Sequence, residues 1–195
     1  MLSDLKSAVR PALVLTLLFA LLLGIAYPLA LTGVGQALFP AQANGSLIRD
    51  EGRVVGSELI GQKFASAAYF HGRPSAAGTD GYDAAASAGS NLGPASQTLI
   101  DRVRTDIAAL SRTAPGRPVP PDLVTTSASG LDPHISPEAA FSQTDRVAAA
   151  RNLPAPQVRA LVETAVEQPA LGFLGEPRVN VLLLNRALDA RFGQK

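Results

Sequence analysis

Residues Ala12 to Leu31 read ALVLTLLFALLLGIAYPLAL, and the whole stretch from Pro11 to Ile48 contains no charged residue. Twenty residues at about 1.5 Å each reach roughly 30 Å, the thickness of a bilayer's hydrocarbon core. Thr16 can return a hydrogen bond to a carbonyl one turn earlier, Gly24 is tolerated in a membrane helix, and Tyr27-Pro28 falls at the far interface. A buried helix of a soluble core is seldom apolar on every face for this length. The stretch is therefore read as a transmembrane helix over residues 12–31.

Lys6 and Arg10 flank its near end, and the first basic residue past the far end is Arg49. This bias places the N-terminus in the cytoplasm and everything after Leu31 outside. A cleaved leader is the alternative, since Lys6 and Arg10 form a positive start and Ala41-Gln42-Ala43 is a small-x-small site. The apolar run exceeds the usual core of roughly 7–15 residues, and the site lies ten residues past its end, which favours an uncleaved anchor. The expected organisation is a cytoplasmic N-terminus over residues 1–11, the membrane helix over 12–31, a stalk over 32–45 and an extracytoplasmic domain over 46–195.

The portion after Leu31 holds 164 residues with 15 basic and 15 acidic side chains. The chain as a whole has 195 residues and a formal charge of +1, and 14 of its 17 basic residues are Arg. A nucleic-acid binder needs a marked basic excess to neutralise phosphates, so that class is excluded. With no Cys, thiolate zinc sites, disulfide scaffolds and a cysteine nucleophile are excluded too. Two histidines, His71 and His134, leave little for a metal site, and no metal ligands are expected. One domain rich in Gly and Pro fits outside the membrane.

Pattern gives its elements. Ser46–Arg49 and Arg53–Gly56 flank Asp50-Glu51-Gly52 as a β-hairpin. Ser57–Ser66 is ambiguous, and Tyr69–Pro94 is a long loop whose aromatics Tyr69, Phe70 and Tyr82 argue for order. From Ser96 to Arg112, Leu99, Val103, Ile107 and Leu110 fall at helical spacing. Thr113–Pro121 reads as a linker and Asp122–Thr126 as a short strand. Ser136-Pro137 opens a helix running to about Ala150, and Pro154 or Pro156 starts another. Arg178–Leu183 reads as a strand buried on both faces, followed by a closing helix over Asn185–Phe192. Strands and helices mixed without βαβ alternation predict an α+β fold: one N-terminal transmembrane helix, then a single extracytoplasmic α+β domain.

Three polar clusters stand out: Tyr69–Ser75, Ser87–Pro94 and Ser127–Pro137. A nucleophile (Ser90 or Ser129), a base (His71 or His134) and an orienting acid (Asp83 or Asp132) can be drawn from them. No Ser sits in a Gly-x-Ser-x-Gly elbow, however, and Ser87–Gly93 lacks the Gly-Lys-Ser/Thr ending of a phosphate loop. Asn or Asp beside Gly or Pro makes turns, and Ser before Pro caps helices. No catalytic residue is expected. Polar loops rich in Gly and Pro present groups to a ligand, which makes Ser90, Asn91, Gly93, Asp132 and His134 candidate partner contacts. Gln143 and Arg146, three apart on the helix from Ser136, are either solvated or further contacts.

In this order behind one membrane helix, certain runs resemble the KdpC subunits of Kdp potassium-transporting P-type ATPases. They are Tyr69–Ala76, Tyr82-Asp83, Ser90–Gly93, Asp122–Val124, Ser129–Ser136, Gln143, Arg146–Ala148, Arg151, Gly175–Leu182 and Leu184-Asn185. The resemblance covers essentially the whole chain; Ala88 and Ala128 stand where the family often has Gly. It implies a non-catalytic accessory subunit of a high-affinity ATP-driven potassium uptake complex, needed for the pump's assembly and activity. It implies a single pass through the bacterial cell (inner) membrane, among lipid. The implied partners are a potassium-binding channel-like subunit and a P-type ATPase subunit. The family is also proposed to raise the ATP affinity of the hydrolysing subunit, so ATP binding is implied by resemblance alone. Read from the residues, the alternative is an exported hydrolase or binding module held by a signal anchor. Co-purification with two larger membrane proteins discriminates the two.

Overall fold

Proline decides how the apolar N-terminal run is built. In the computed structural model, which describes residues 2–50, 52–113 and 116–194, α1 (Leu2–Leu21) leads through a π-helical turn (Leu22–Ala26) into α2 (Tyr27–Leu38). Pro28 has no N–H to offer the Gly24 carbonyl, and the Tyr27 N–H reaches back five residues to the Leu22 carbonyl instead. Pro11 lies inside α1 without ending it. Lys6–Leu38 is the one helix among the described residues long and apolar enough to cross a membrane, and none of its side chains is buried in the chain. Residues 32–38, expected in a stalk, continue the helix; only after Phe39 does a short α3 (Pro40–Ala43) follow. These elements make up the unit Met1–Leu47.

The second unit, Ile48–Lys195, is α+β. β1 (Leu47–Asp50) and β2 (Arg53–Ser57) pair as the expected hairpin, with Gly52 at φ +81; Glu51 lies outside the described residues. Residues 58–96 are irregular yet partly buried, with Phe70 and Ala77 fully enclosed. α4 (Gln97–Thr113) matches the amphipathic helix, though none of residues 97–112 is buried. Ala114 and Pro115 of the expected linker lie outside the described residues.

Two expected strands are corrected. Asp122–Thr126 is not extended: Pro121–Leu123 forms a 3-10 turn, closed by bonds from the Leu123 and Val124 N–H groups to the Pro120 and Pro121 carbonyls. Pro120 and Pro121 fix two successive φ angles near the turn value, and this outweighs the strand preference of Val and Thr. The second strand stops early. β5 (Arg178–Asn180) ends at Asn180, whose side chain accepts from the Leu183 N–H at 3.2 Å and so caps α7 (Val181–Phe192). Val181, Leu184, Asn185 and Leu188 are buried at helical spacing, while Leu183 faces out.

β5 is the centre of a three-stranded antiparallel sheet, β3 (His134–Ile135), β5, β4 (Val166–Glu167), with Ile135 and Val166 both opposite Val179. α5 (Pro137–Arg151) starts as expected: Ser136 Oγ accepts from the Ala139 N–H at 3.1 Å and Pro137 takes the first helical position. α6 (Ala155–Ala165) packs on α5 and α7. Their inward faces, with Val179 and Phe70, form the core, in which Val147, Val158, Val162, Leu184 and Leu188 are completely buried.

Candidate functional site

Gly130 is where the three polar clusters meet. At φ +67, a Cβ would lie 2.5 Å from the Ala88 carbonyl oxygen and 2.8 Å from the Ala77 nitrogen, so only glycine fits. The Gly130 carbonyl accepts from Ser75 Oγ at 2.6 Å, and that Oγ accepts from the Ala77 and Tyr82 N–H groups. The neighbouring Ser129 carbonyl accepts from the Ala88 N–H and the Ser87 hydroxyl, both at 3.0 Å. Gly89 lacks room for a side chain as well: its Cβ would stand 2.9 Å from the Ala128 carbonyl oxygen.

Beside this turn, Arg73 donates to Asp132 Oδ2 at 3.3 Å and to the Thr125 hydroxyl and carbonyl at the same distance. Asp132 Oδ1 accepts from the His134 N–H at 3.0 Å and lies 3.6 Å from the imidazole Nδ1. His134, through its imidazole and N–H, and then Arg73 hold the Asp132 carboxyl below its ordinary value, against the opposing effect of burial. Tyr82 donates to the Arg73 carbonyl at 2.5 Å; burial, then the Asp132 charge, pushes its phenol up. Asp132, His134 and Arg73 line an open cleft of about 510 Å³ together with Asp122, Glu176 and Arg178. Charges of both signs face this cleft. That suits hydrogen-bonded recognition of a polar surface better than the concentrated field of an anion or cation site.

Gln143 and Arg146 point inward from α5. Gln143 is buried, and its amide both accepts from the His71 N–H at 2.8 Å and donates to the His71 carbonyl at 3.0 Å. Arg146 donates to the Ala67 and Tyr69 carbonyls at 2.6 and 3.0 Å, and to Gln143 Oε1 at 2.7 Å. Asn185 treats Phe70 as Gln143 treats His71, with bonds of 2.8 and 2.9 Å to its N–H and carbonyl. Arg151 completes the set: it donates to the Ala68 and Gly193 carbonyls and to Asp189, and stacks 4.7 Å from the Tyr69 ring centroid. Asp189 also accepts from the Tyr69 hydroxyl at 3.0 Å. Residues 67–71 thus satisfy their backbone with side chains where a strand would use a neighbouring strand. His71 Nε2–H donates to the Ser66 carbonyl at 3.0 Å; burial first, and the Arg146 charge second, lower its pKa despite that bond.

Of the candidate contacts, Asp132 and His134 come together at the cleft, and Gln143 and Arg146 at the clamp on residues 67–71. A second concavity of about 330 Å³ is lined by Gln143 and Arg146 and by Arg73, the ion-pair partner of Asp132; Asp132 and His134 themselves do not line it. Ser90, Asn91 and Gly93 stand apart on the loop before α4. Asn91 is exposed at φ +51, Gly93 is exposed with open space around it, and Ser90 is half-buried. Of the residues from which a hydrolase could be drawn, Ser129 Oγ accepts from the Leu131 N–H, His71 Nε2 is bonded to the Ser66 carbonyl, and Asp132 lies beside His134. Arg151, Asn185 and Asp189 were not among the candidates. Arg151 and Asn185 stand in the runs that carry the family resemblance, but nothing local marks their inward roles: the buried face of α5 already holds Gln143 and Thr144.

Comparison with known proteins fits this architecture. The family described as "KdpC: K+-transporting ATPase, c chain" matches residues 9–190. A "Potassium-transporting ATPase KdpC subunit" of Caulobacter vibrioides (strain NA1000 / CB15N) is 65% identical over 187 residues, covering 95% of this chain and 94% of that protein. Proteins with the same description from Caulobacter sp. (strain K31) and Nitratidesulfovibrio vulgaris (strain DSM 19637 / Miyazaki F) are each 60% identical. The first covers 97% of this chain and 98% of its own length, the second 95% of each. With the match spanning both the apolar helix and the α+β domain, the chain belongs to the KdpC family, the c chain of potassium-transporting ATPases.

Proposed function

We propose that the chain is a membrane-anchored, non-catalytic accessory subunit of an ATP-driven potassium uptake complex. Its N-terminus lies in the cytoplasm and its α+β domain on the outer face of a bacterial inner membrane. The observation that carries this reading is the family match over residues 9–190, joined to a single apolar span with Lys6 and Arg10 at its near end. The domain contacts a potassium-binding channel-like subunit and a P-type ATPase subunit. Asn91 and Gly93, with Ser90, supply a contact from the loop before α4, and Asp132 and His134 another from the cleft. Gln143 and Arg146 act on that surface through the 67–71 segment that they hold.

A domain on the outer face does not meet cytosolic ATP. On this topology, any effect on the nucleotide affinity of the ATPase subunit travels through protein contacts. Full-length tagged chain, expressed with its partner subunits and extracted in detergent, should bring down two larger membrane proteins. Removing it should abolish potassium-stimulated ATP hydrolysis by the complex. Turnover of a substrate by the chain alone, with no co-purifying partner, would establish the exported hydrolase instead.

A further inference from the structure

The hairpin joining β4 and β5 ends in an apolar tip that the domain does not use. Leu171, Phe173 and Leu174 are 82, 73 and 54% exposed within four consecutive residues. The tip is shaped by its own backbone: Ala170 and Leu174 exchange N–H to carbonyl bonds of 3.1 and 2.9 Å, and the Gly172 N–H donates to the Pro169 carbonyl at 2.9 Å. Leu171 has φ +55, in the left-handed region where leucine is penalised and glycine or asparagine is favoured. An exposed leucine held in that region buries little of its side chain in the fold, and strain combined with contiguous exposed apolar surface points to a contact outside the domain.

Three occupants fit an apolar knob: lipid, a second copy of the chain, or another subunit. Loops that enter lipid surfaces bring cations for the headgroups. Residues 168–177 contain no Lys or Arg, Glu176 adds a negative charge, and Arg178 is paired with Glu167 at 2.9 Å. A second copy would receive the knob in its own apolar groove beside Pro118, Pro120 and Phe141. Such a head-to-tail contact closes a ring or runs on into a fibre, and a tip of four residues offers well under the roughly 800 Å² per partner that a stable dimer buries. We propose, resting on the subunit reading above, that Leu171-Gly172-Phe173-Leu174 is a knob that seats in an apolar pocket on the extramembrane face of another subunit of the potassium-transporting ATPase.

Photocrosslinking tests the occupant. Full-length chain carrying Phe173→benzoylphenylalanine, or Gln157→benzoylphenylalanine on the exposed face of α6 as control, is assembled with the other subunits in phospholipid nanodiscs and irradiated. An adduct with another subunit from position 173 and not from 157 is expected. An adduct with phospholipid, one with a second copy, or none beyond the control overturns the proposal. A second arm uses the double variant Leu171→Gly and Phe173→Ser, which removes apolar surface and relieves the backbone. Its thermal midpoint in detergent should hold or rise, while its recovery in the complex falls about tenfold or more. Unchanged recovery, or a lowered midpoint showing that the tip supports the fold, overturns the proposal. If the unmodified chain retrieves no other subunit, the subunit reading itself fails, which a loss confined to the variant does not imply.

Discussion

Gln143 and Asn185 use primary amides to copy the pairing of a strand, each accepting from the N–H and donating to the carbonyl of a single residue. Only a carboxamide among neutral side chains offers an acceptor and a donor at that spacing. Asn185→Leu keeps the volume and leaves the buried Phe70 N–H and carbonyl unpaired. Its stability, read from the urea midpoint of the full chain in detergent, should drop by about 2–4 kcal/mol. His71 gives a pH signature. The unfolded side chain titrates near 6.5 and the folded one lower, so the unfolded chain takes up the proton that the folded chain resists. Stability is complete above 6.5 and declines as pH falls from there towards the folded value. His71→Gln preserves an Nε–H for the Ser66 carbonyl, and its thermal midpoint should lose that slope below pH 6.5. Asp132, whose folded pKa is also depressed, adds a separate loss only near and below 3.8. At the exposed loop, Asn91→Gly retains the φ of +51 and deletes the carboxamide. The variant should fold with an unchanged midpoint and weaken assembly with the pump about fivefold or more. Undiminished assembly would move the contact elsewhere.

α7 shows at the level of an element how one run of residues offers two structures. Arg178–Leu183 is rich in Val and Leu and suits a strand; the cap supplied by Asn180 converts it to helix from Val181 onward. If Leu183 faced a second buried surface, a charge there would unfold the domain. On a helix it is exposed, and Leu183→Glu should change the unfolding free energy by no more than about 0.5 kcal/mol. The elements legible in the sequence carry local signals: the Ser136-Pro137 cap, the hairpin around Gly52, the spacing of Leu99, Val103, Ile107 and Leu110, and the apolar run of α1 and α2. The period of α7 was hidden because Asn185 and Asp189 occupy its inward face, and their partners Phe70 and Tyr69 lie 115 and 120 residues earlier. The site divides in the same way. Gly and Pro around Asn91 and Asp132 announce loops, whereas the inward roles of Gln143 and Arg146 depend on a carbonyl ladder more than seventy residues away. No local pattern encodes such a ladder.

For the whole molecule, the anchored topology predicts that protease added to spheroplasts digests the domain, and that the chain recovered without protease still carries residues 1–31. Recovery of a mature protein beginning at Asn44 would show instead that Ala41-Gln42-Ala43 is cleaved. The side-chain ladder on residues 67–71 then sets the order of events during synthesis. Chains grow from the N-terminus, and Phe70 emerges 115 residues before the Asn185 amide that satisfies its backbone. Contacts this distant in sequence form late, after the cost of closing a long loop. Until α7 arrives, the Phe70 N–H and carbonyl lack the Asn185 amide and the Tyr69 hydroxyl lacks Asp189. A chain broken off before Asn185 cannot close this latch, whatever the length already made. The backbone of residues 67–71 is therefore completed in two stages, first by Gln143, Arg146 and Arg151 of α5 and last by Asn185 of α7.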